Sequence, residues 1–200
     1  DGWFCYLRNS GIGLITLDPN ASETIDGLTT FIMYPGETRL IQSNGSNLNS
    51  LVLKGFDYIF TTTGTFTKPP GYQSFDTAVW SGGGGGARSN NPGAGGGSGG
   101  GGIRQPIPSG SIGTTEAVTI GAGGAGAASS DTHGTAGGTS SFGSLISLVG
   151  GLAGNRDSVA VDGGPPLGGN PDDAQYNGGS VFGGGAGGGN AVGSAQGLKG

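Results

Sequence analysis

The sequence predicts a mainly β and irregular protein with essentially no α-helix, in which a small antiparallel β module precedes a glycine-rich domain. That domain is predicted to consist of packed polyglycine II helices with surface loops. Glycine supplies 50 of the 200 residues; nine lie in 1–80, which leaves 50 − 9 = 41 for 81–200. Aromatic residues follow the opposite trend, with 12 of 15 in 1–80. No window combines helical apolar spacing with freedom from glycine and proline, so α-helices are not expected.

Composition and charge exclude several classes of protein. The glycines keep no Gly-X-Y register, as collagen requires, and the single Cys5 has no intrachain partner for a disulfide framework. No apolar run approaches the ~20 residues of a transmembrane helix. A net charge of −5 leaves no basic surface for nucleic acid. Because the chain begins Asp1-Gly2-Trp3, without Met, we expect it to be part of a longer protein.

The first part of the chain, residues 1–55, predicts a strand-rich module. Short apolar or alternating runs are separated by turn residues every 6–10 positions, which is typical of antiparallel sheets. Asn44-Gly45 is a strong hairpin signal. The predicted strands are Trp3–Leu7, expected to be covered on both faces, Ile12–Leu17, Ser22–Ile25, Leu28–Tyr34, Glu37–Gln42 and Leu51–Leu53.

Residues 56–80 form a second predicted strand group, which leads into the glycine-rich domain. Its strands are Phe56–Phe60, Gly64–Thr67 and Ser74–Trp80. In the last of these, Phe75, Ala78 and Trp80 cannot share one face of a regular strand, so a bulge or burial on both faces is expected. The aromatic residues Phe66, Phe75 and Trp80 are predicted to belong to the core.

Particular motifs resemble a known group of proteins. The run from Asn9 to Gly27 (NSGIGLITLDPNASETIDG), followed by Tyr34-Pro35-Gly36-Glu37 and Ser43-Asn44-Gly45, resembles a β module of bacteriophage tail and tail-fibre proteins. That pattern has glycine where Ala21 stands and an aromatic residue near Leu48. The order GTFT, KPPG, a strand, and then WSGGGGG is similar to the segment that leads into the glycine-rich domain of phage tail fibres and adhesins.

The glycine-rich half, 81–200, allows two interpretations. One is a flexible linker or disordered tract, the usual outcome for Gly/Ser-rich sequence. The other is a bundle of polyglycine II helices, each with three residues per turn, ~3.1 Å rise and no internal hydrogen bonds. Such helices must bond to their neighbours through the backbone, which requires close approach and therefore no Cβ. Apolar segments between the glycine runs, and only ten charged residues in this half, favour the ordered bundle.

On the bundle hypothesis the interruptions become loops at the ends of the helices. The predicted loops are Ala87–Pro92, Ile103–Ile120, Ala128–Ala136, Asn155–Asp162 and Asn170–Asn177. Since a glycine lattice carries few side chains, recognition is expected in these loops. The arrangement resembles the distal-tip adhesins of T-even-type phage long tail fibres, in which glycine-rich motifs alternate with receptor-contacting segments.

Candidate catalytic and metal-binding groups are sparse. His133 is the only histidine, and its proximity in sequence to Ser130 and Asp131 seldom gives triad geometry. One histidine and one cysteine cannot provide the usual zinc ligand set. Asp172-Asp173 could contribute to a calcium site or to a carboxylate pair for glycoside cleavage, but adjacent loop carboxylates usually face solvent. We therefore predict no catalytic residue, no metal and no cofactor.

The predicted site residues are the large, charged or amide side chains of the loops. Tyr176 is the strongest candidate, because an exposed aromatic ring beside amides and carboxylates suits binding to sugars or to protein loops. The alternative is that Tyr176 and Phe182 cap the bundle or pack on the β module; Phe182 and Phe142 are weaker candidates for recognition than Tyr176. The predicted receptor-binding residues are Arg88, Asn90, Asn91, Arg104, Asp131, His133, Arg156, Asp172, Asp173, Tyr176 and Phe182.

The resemblance implies a phage tail-fibre or tail-tip adhesin that binds a bacterial outer-membrane protein or surface glycan. It implies location in the virion tail and partners among other tail proteins, with either a homotrimer or a single chain on a trimeric shaft. No enzyme activity, nucleic-acid partner or membrane insertion is expected. The alternatives are a purely structural tail component, a glycan-cleaving spike and a fibre-maturation chaperone.

Overall fold

The computed structural model of the protein describes residues 2–88 and 97–155. The described chain contains short strands and, as its only helix, the 3-10 turn Ser109–Ser111. This confirms the predicted mainly β fold with essentially no α-helix. The strands are β1 Phe4–Arg8, β2 Ile15–Leu17, β3 Phe31–Met33, β4 Thr38–Ser43, β5 Leu48–Lys54, β6 Gly64–Thr67, β7 Ser74–Trp80, β8 Gly102–Pro108, β9 Thr115–Thr119, β10 Ser140–Phe142 and β11 Ile146–Leu148.

The chain forms two compact units. The first comprises Asp1–Phe60, Phe66–Phe75 and Ile107–Glu116, and the second comprises Thr61–Thr65, Asp76–Pro106 and the residues from Ala117 onward. The first unit is built by side-chain packing around short sheets. The second contains most of the glycine segments and is organised by backbone hydrogen bonds.

The β module is built on a three-stranded antiparallel sheet in the order β1-β4-β5 and on the antiparallel pair β2-β3. One face of these strands packs on a small core of Ile25, Phe31, Met33 and Ile41. Cys5 and other apolar side chains of the same face lie against this core. Successive residues of a strand point to opposite faces, so each strand contributes every second side chain to the core.

The predicted turns of the β module are confirmed. Gly45 has a φ of 92°, and the Asn44 side chain accepts bonds from the N–H groups of Ser46 and Asn47 between β4 and β5. Ala21 has a φ of 51°. This is the left-handed region, which costs an alanine energy that a glycine does not incur.

Several predictions for residues 1–80 are wrong. Strand β2 begins at Ile15, and Ile12 lies in a bend with its side chain 99% exposed. Residues 22–25 form only isolated bridges, at Ile25. Residues 56–60 form no strand. The Phe56 and Tyr58 rings instead pack on Tyr34, with the Phe56 ring stacked at a centroid distance of 4.3 Å, and Phe60 packs on Tyr58. Aromatic content, which predicted a strand here, reflects ring packing rather than sheet pairing.

A four-stranded sheet in the order β11-β10-β9-β6 and a pair β7-β8 complete the strands. The predicted loop Ile103–Ile120 is therefore wrong, because it forms β8, the 3-10 turn and β9. Strand β7 spans the predicted residues, and Phe66 is buried, but Trp80 is 56% exposed and does not belong to the core. Phe142 is buried in β10, which favours packing over recognition.

The glycine segments form a hydrogen-bonded bundle around segment 81–86. Four other segments, 97–101, 121–127, 134–138 and 150–154, bond to it through the backbone. The bonds are Ser81 N–H to Gly101 O (2.9 Å), Gly82 N–H to Gly138 O (3.1 Å), Gly84 N–H to Ser98 O (2.8 Å), Gly85 N–H to Thr135 O (2.8 Å), Gly124 N–H to Gly83 O (2.7 Å), Ala127 N–H to Gly86 O (2.9 Å), Gly151 N–H to Gly82 O (2.7 Å) and Gly154 N–H to Gly85 O (2.8 Å).

Each set of bonds repeats every third residue. The N–H groups of residues 82 and 85 bond to segment 134–138, whereas those of 81 and 84 bond to 97–101. A period of three is the repeat of the polyglycine II helix. In a β-strand the bonding groups would alternate with a period of two. The bundle is therefore a lattice of three-residue-per-turn helices.

Most interior positions of the lattice leave no room for a side chain; the exception is Ser98, which is buried and whose Oγ accepts a hydrogen bond from the N–H of Leu152. A Cβ built on Gly84 would overlap the carbonyl group of Leu152, and one on Gly82 would overlap that of Ala122. In both cases the obstacle is the backbone of a neighbouring helix, which cannot rotate away as a side chain can. The sequence requirement is thus steric: glycine is needed wherever a Cα faces an adjacent helix.

Candidate functional site

The bundle has two chemically different ends. At the Ser81 end the glycine segments are continuous with strands: β7 ends at Trp80, β8 begins at Gly102 and β11 ends at Leu148. At the Gly86 end lie Ala87, Arg88 and the turn 128–133. We call these the strand end and the loop end. The loop end follows from the register, since Ala127 bonds to Gly86, and Gly154 to Gly85.

Three predicted site residues come together at the loop end. The backbones of Arg88 and Thr132 form an isolated antiparallel bridge, with both N–H···O distances at 3.1 Å. This bridge brings Arg88 beside the turn that carries Asp131 and His133, and all three residues are exposed. Asp131 has a φ of 59°, a conformation that aspartate tolerates better than most residues. The loop end therefore presents a cation, a carboxylate and an imidazole on a backbone fixed by the bundle.

Arg104 lies away from this group, on β8 at the strand end. Its guanidinium forms an exposed ion pair with Asp76 of β7, with Nε 2.9 Å from Oδ2. The hydrogen bond from Arg104 holds the pKa of the Asp76 carboxyl below its usual value. Because the pair is exposed, it is screened by water and adds little stability.

The remaining predicted site residues lie outside the described ranges 2–88 and 97–155. All of them were predicted to bind the receptor as charged, amide or aromatic side chains of the loops. They are Asn90, Asn91, Arg156, Asp172, Asp173, Tyr176 and Phe182.

A buried ion pair in the β module was not predicted from the sequence. Glu37 and Arg39 are both 0% exposed, and Arg39 Nε donates to Glu37 Oε1 at 2.6 Å. Arg39 also donates to Ser50 Oγ and Pro70 O, and its guanidinium lies 4.5 Å from the centroid of the Phe31 ring. Spacing of i and i+2 places both residues on one face of an extended chain, which is the only sequence signal for the pair.

Two tyrosines take part in this network. Tyr72 Oη donates to Glu37 Oε1 at 3.1 Å, and burial together with the Glu37 carboxylate raises the pKa of Tyr72. Burial also raises the pKa of Tyr34, whose Oη donates to Thr67 O at 2.9 Å. The network satisfies its buried polar atoms: within the described residues none lacks a hydrogen-bond partner. Its role is to hold segment 66–75 against the strands of the same unit.

An apolar sheet face was also missed. Phe4 and Tyr6 are 62% and 67% exposed, which corrects the expectation that β1 is covered on both faces. Pairing places Tyr6 beside Leu40 and Leu40 beside Leu51, and Leu51 is also exposed. Both faces of β1 are apolar, so the sequence alone could not distinguish a covered face from an open one.

The described residues contain no group of three or more His, Cys, Asp or Glu side chains placed to hold a metal ion. Among the helices of that same part of the chain, none is long and apolar enough to span a membrane. What the loop end can provide is hydrogen bonding and charge complementarity.

The comparisons with known proteins identify the second part of the chain. Residues 61–200 match the family model of a glycine-rich domain, a range that covers more than half of the 200 residues. The chain belongs to this glycine-rich domain family. No curated protein and no solved structure matches it. The range of the glycine-rich domain begins just before β6 and includes every segment of the bundle.

Proposed function

We propose that the protein is the receptor-binding part of a bacteriophage tail fibre or tail tip, located in the virion tail. It binds a bacterial outer-membrane protein or surface glycan without enzymatic chemistry. The observation that carries this proposal is the loop end, where exposed Arg88, Asp131 and His133 lie on a scaffold of glycine segments joined by backbone hydrogen bonds. Binding residues are commonly displayed by loops on rigid scaffolds.

The motifs of the β module also support the proposal. Asn9, Glu37 and Asn44, which belong to the pattern shared with tail-fibre modules, all form structural hydrogen bonds. These residues specify the module's turns and core, which fits a role as the attachment segment of a fibre. In this proposal the glycine-rich domain makes the contact with the receptor.

The proposal is tested by binding of the fluorescently labelled chain to a panel of bacterial strains. We expect at least one strain to be labelled, and Arg88→Ala or His133→Ala to weaken labelling about tenfold or more. Arg8→Ala, an exposed arginine of the β module, is the matched control and should leave labelling unchanged. Absence of labelling on all strains, or equal losses with Arg8→Ala and Arg88→Ala, would contradict the proposal. A loss with Arg104→Ala alone would move receptor contact to the strand end and contradict the proposed site.

A second candidate function is a structural tail component in which the β module binds copies of itself. The open face of Phe4, Tyr6 and Leu51 favours this function, because contiguous exposed apolar patches usually mark an interface. Phe4 and Tyr6, each more than half exposed, together offer on the order of 250 Å² of apolar area. Sedimentation of the wild type and of Phe4→Ser/Tyr6→Ser tests it. A monomeric wild type would exclude self-association, and a trimer lost in the variant would support it.

A further inference from the structure

Strands β7 and β8 pair in a register that one backbone bond defines. Ser81 N–H, directly after β7, donates to the carbonyl oxygen of Gly101, directly before β8, at 2.9 Å. Because β7 ends at this bond and β8 begins from it, the two paired strands are antiparallel. Counting back from the bond gives the residues that lie opposite each other: Trp80 with Gly102, and Ala78 with Arg104.

One face of this pair of strands carries a tryptophan and an ion pair. Side chains two residues apart lie on the same face of a strand, and opposite residues share that face, so Trp80 lies on the same side as Asp76 and Arg104. Trp80 is 56% exposed, and the side chains of Arg104 and Asp76 are 60% and 52% exposed. An indole ring and a carboxylate–guanidinium pair are therefore open to solvent on one surface. We call this surface the Trp80 face (Asp76, Ala78, Trp80, Gly102 and Arg104).

Small residues separate the indole ring from the ion pair. Ala78 lies between Trp80 and Asp76 on β7, and Gly102 precedes Arg104 on the same face of β8. The Cα atoms of Trp80 and Arg104, which are diagonal neighbours, are ~7–8 Å apart, and those of Trp80 and Asp76 are ~13 Å apart. The methyl group of Ala78 and the hydrogen of Gly102 rise less far from the sheet than the groups on either side. The Trp80 face is therefore a shallow depression between an aromatic ring and a charged pair.

This combination of groups matches the surface of a sugar. A pyranose ring has one side of C–H groups, which suits contact with an indole ring, and a rim of hydroxyl groups, each of which donates and accepts hydrogen bonds. Asp76 offers carboxylate oxygens as acceptors and Arg104 offers guanidinium N–H groups as donors, and hydrogen bonds to charged groups are stronger than those between neutral groups. Since the two charges cancel, the face carries no net charge to attract an ionic ligand.

We propose that the Trp80 face binds a neutral hexopyranose unit of a glycan. The indole ring of Trp80 contacts the C–H side of the sugar, and hydroxyl groups at its rim bond to Asp76 and Arg104. Ligand sites generally combine apolar contact area with a few placed polar groups, which is the composition of this face. The ion pair adds little stability, but it fixes the position of each partner before the sugar binds.

The Trp80 face is distinct from the loop end. Segment 81–86 lies between them, and six residues of polyglycine II span ~19 Å. The proposal is therefore independent of receptor binding through Arg88 and His133. Soluble sugars test it without bacterial cells, so its failure and that of the proposed function can be told apart.

NMR of the isotope-labelled full chain, titrated with the methyl glycosides of glucose, galactose and mannose, tests the proposal. The reporter is the indole Nε1–H signal of Trp80. The chain has two tryptophans, and Trp3, which is 55% exposed, provides an internal control of the same chemistry and exposure. We expect at least one glycoside to shift the Trp80 signal saturably, with a dissociation constant on the order of 1 mM, and to leave the Trp3 signal unchanged.

Two variants test the role of the ion pair. Asp76→Ala and Arg104→Ala should each weaken binding about tenfold or more, because each removes hydrogen bonds between a charged group and the sugar. Both side chains are exposed, so the fold is expected to tolerate either change. Asp57→Ala, which removes an exposed carboxylate of the β module, is the matched control and should leave the affinity unchanged.

Several results would overturn the proposal. One is that none of the glycosides shifts the Trp80 signal, and another is that Trp3 and Trp80 shift equally. A third is that Asp76→Ala or Arg104→Ala binds the sugar as tightly as the wild type does. A Trp80 signal that moves on dilution of the protein, and not with sugar, would identify a second copy of the chain as the occupant and would overturn it as well.

Discussion

Two adjacent glycines of segment 121–127 should respond oppositely to alanine. A Cβ on Gly124 would overlap the carbonyl oxygen of Thr135 and lie 2.8 Å from the nitrogen of Gly85. A Cβ on Gly123 would meet nothing closer than the carbonyl oxygen of Gly83, at 3.9 Å. The two substitutions add the same methyl group to neighbouring residues of one helix. Only the direction of the added methyl differs.

The expected magnitudes follow from these contacts. Forcing a methyl group into packed structure costs about 1–3 kcal/mol. At Gly124 the displacement also lengthens two backbone bonds, Gly85 N–H to Thr135 O and Gly124 N–H to Gly83 O, each contributing about 1 kcal/mol. Alanine lowers the entropy of the unfolded chain, which returns about 0.4–1 kcal/mol. Gly124→Ala should therefore destabilise the bundle by about 3 kcal/mol, whereas Gly123→Ala should stabilise it by about 0.5 kcal/mol.

Native-state hydrogen exchange at the Gly85 amide measures this difference directly, because that amide donates across the affected contact. A loss of about 3 kcal/mol corresponds to exchange on the order of a hundredfold faster. Gly126→Ala provides a second control, since its Cβ would lie 3.8 Å from the nearest atom, the carbonyl oxygen of Gly86. If Gly123→Ala and Gly124→Ala changed the exchange rate equally, the three-residue repeat would not govern the packing.

Three further predictions concern the β module. Arg39→Met should lower the free energy of unfolding by about 3–5 kcal/mol in a denaturant titration, because it leaves Glu37 charged and buried without its partner. A loss below about 1 kcal/mol would contradict this prediction. Folding raises the pKa of Tyr72, so its contribution to stability should be fully present below the unfolded tyrosine pKa of about 10 and be lost as the pH rises above it. In thermal unfolding at several alkaline pH values, the melting temperature of Tyr72→Phe should therefore decline less steeply with pH than that of the wild type. Equal slopes would exclude the effect. Ala21→Gly should raise the free energy of unfolding by about 0.5–1 kcal/mol through relief of the left-handed backbone, and no gain in the same titration would count against that strain.

The sequence predicted those parts of the fold that depend on local chemistry. Strand β7 and the turn at Asn44-Gly45 are set by alternation and by turn residues, which are visible in a short window. The steric demand for glycine likewise predicted a hydrogen-bonded bundle. The strand and the turn are thus features that neighbouring residues determine by themselves, whereas the bundle, which joins distant segments, follows from the glycine content of those segments.

The remaining features depend on distant partners. Residues 56–60 have a strand-like composition, but their backbone pairs with no strand, and the rings of Phe56 and Tyr58 pack on Tyr34. Ile103–Ile120 follows a long glycine run and so indicated a loop, yet its strands find partners far along the chain. For the candidate site, the sequence identified Arg88, Asp131 and His133 as loop residues. It could not show that a backbone bridge holds their two loops together.

The two ends of the bundle have different physical requirements. At the strand end the glycine helices continue into strands whose side chains pack, so changes there alter a core that includes buried Phe142 and Leu148. At the loop end, segment 81–86 has made its last backbone bonds by Gly86, and the exposed side chains beyond it are outside the steric limits of the lattice. Substitutions at Arg88 or His133 can therefore change recognition while the bundle keeps its register. Under the proposed function, this separation lets receptor specificity vary at the loop end without altering the scaffold that displays it.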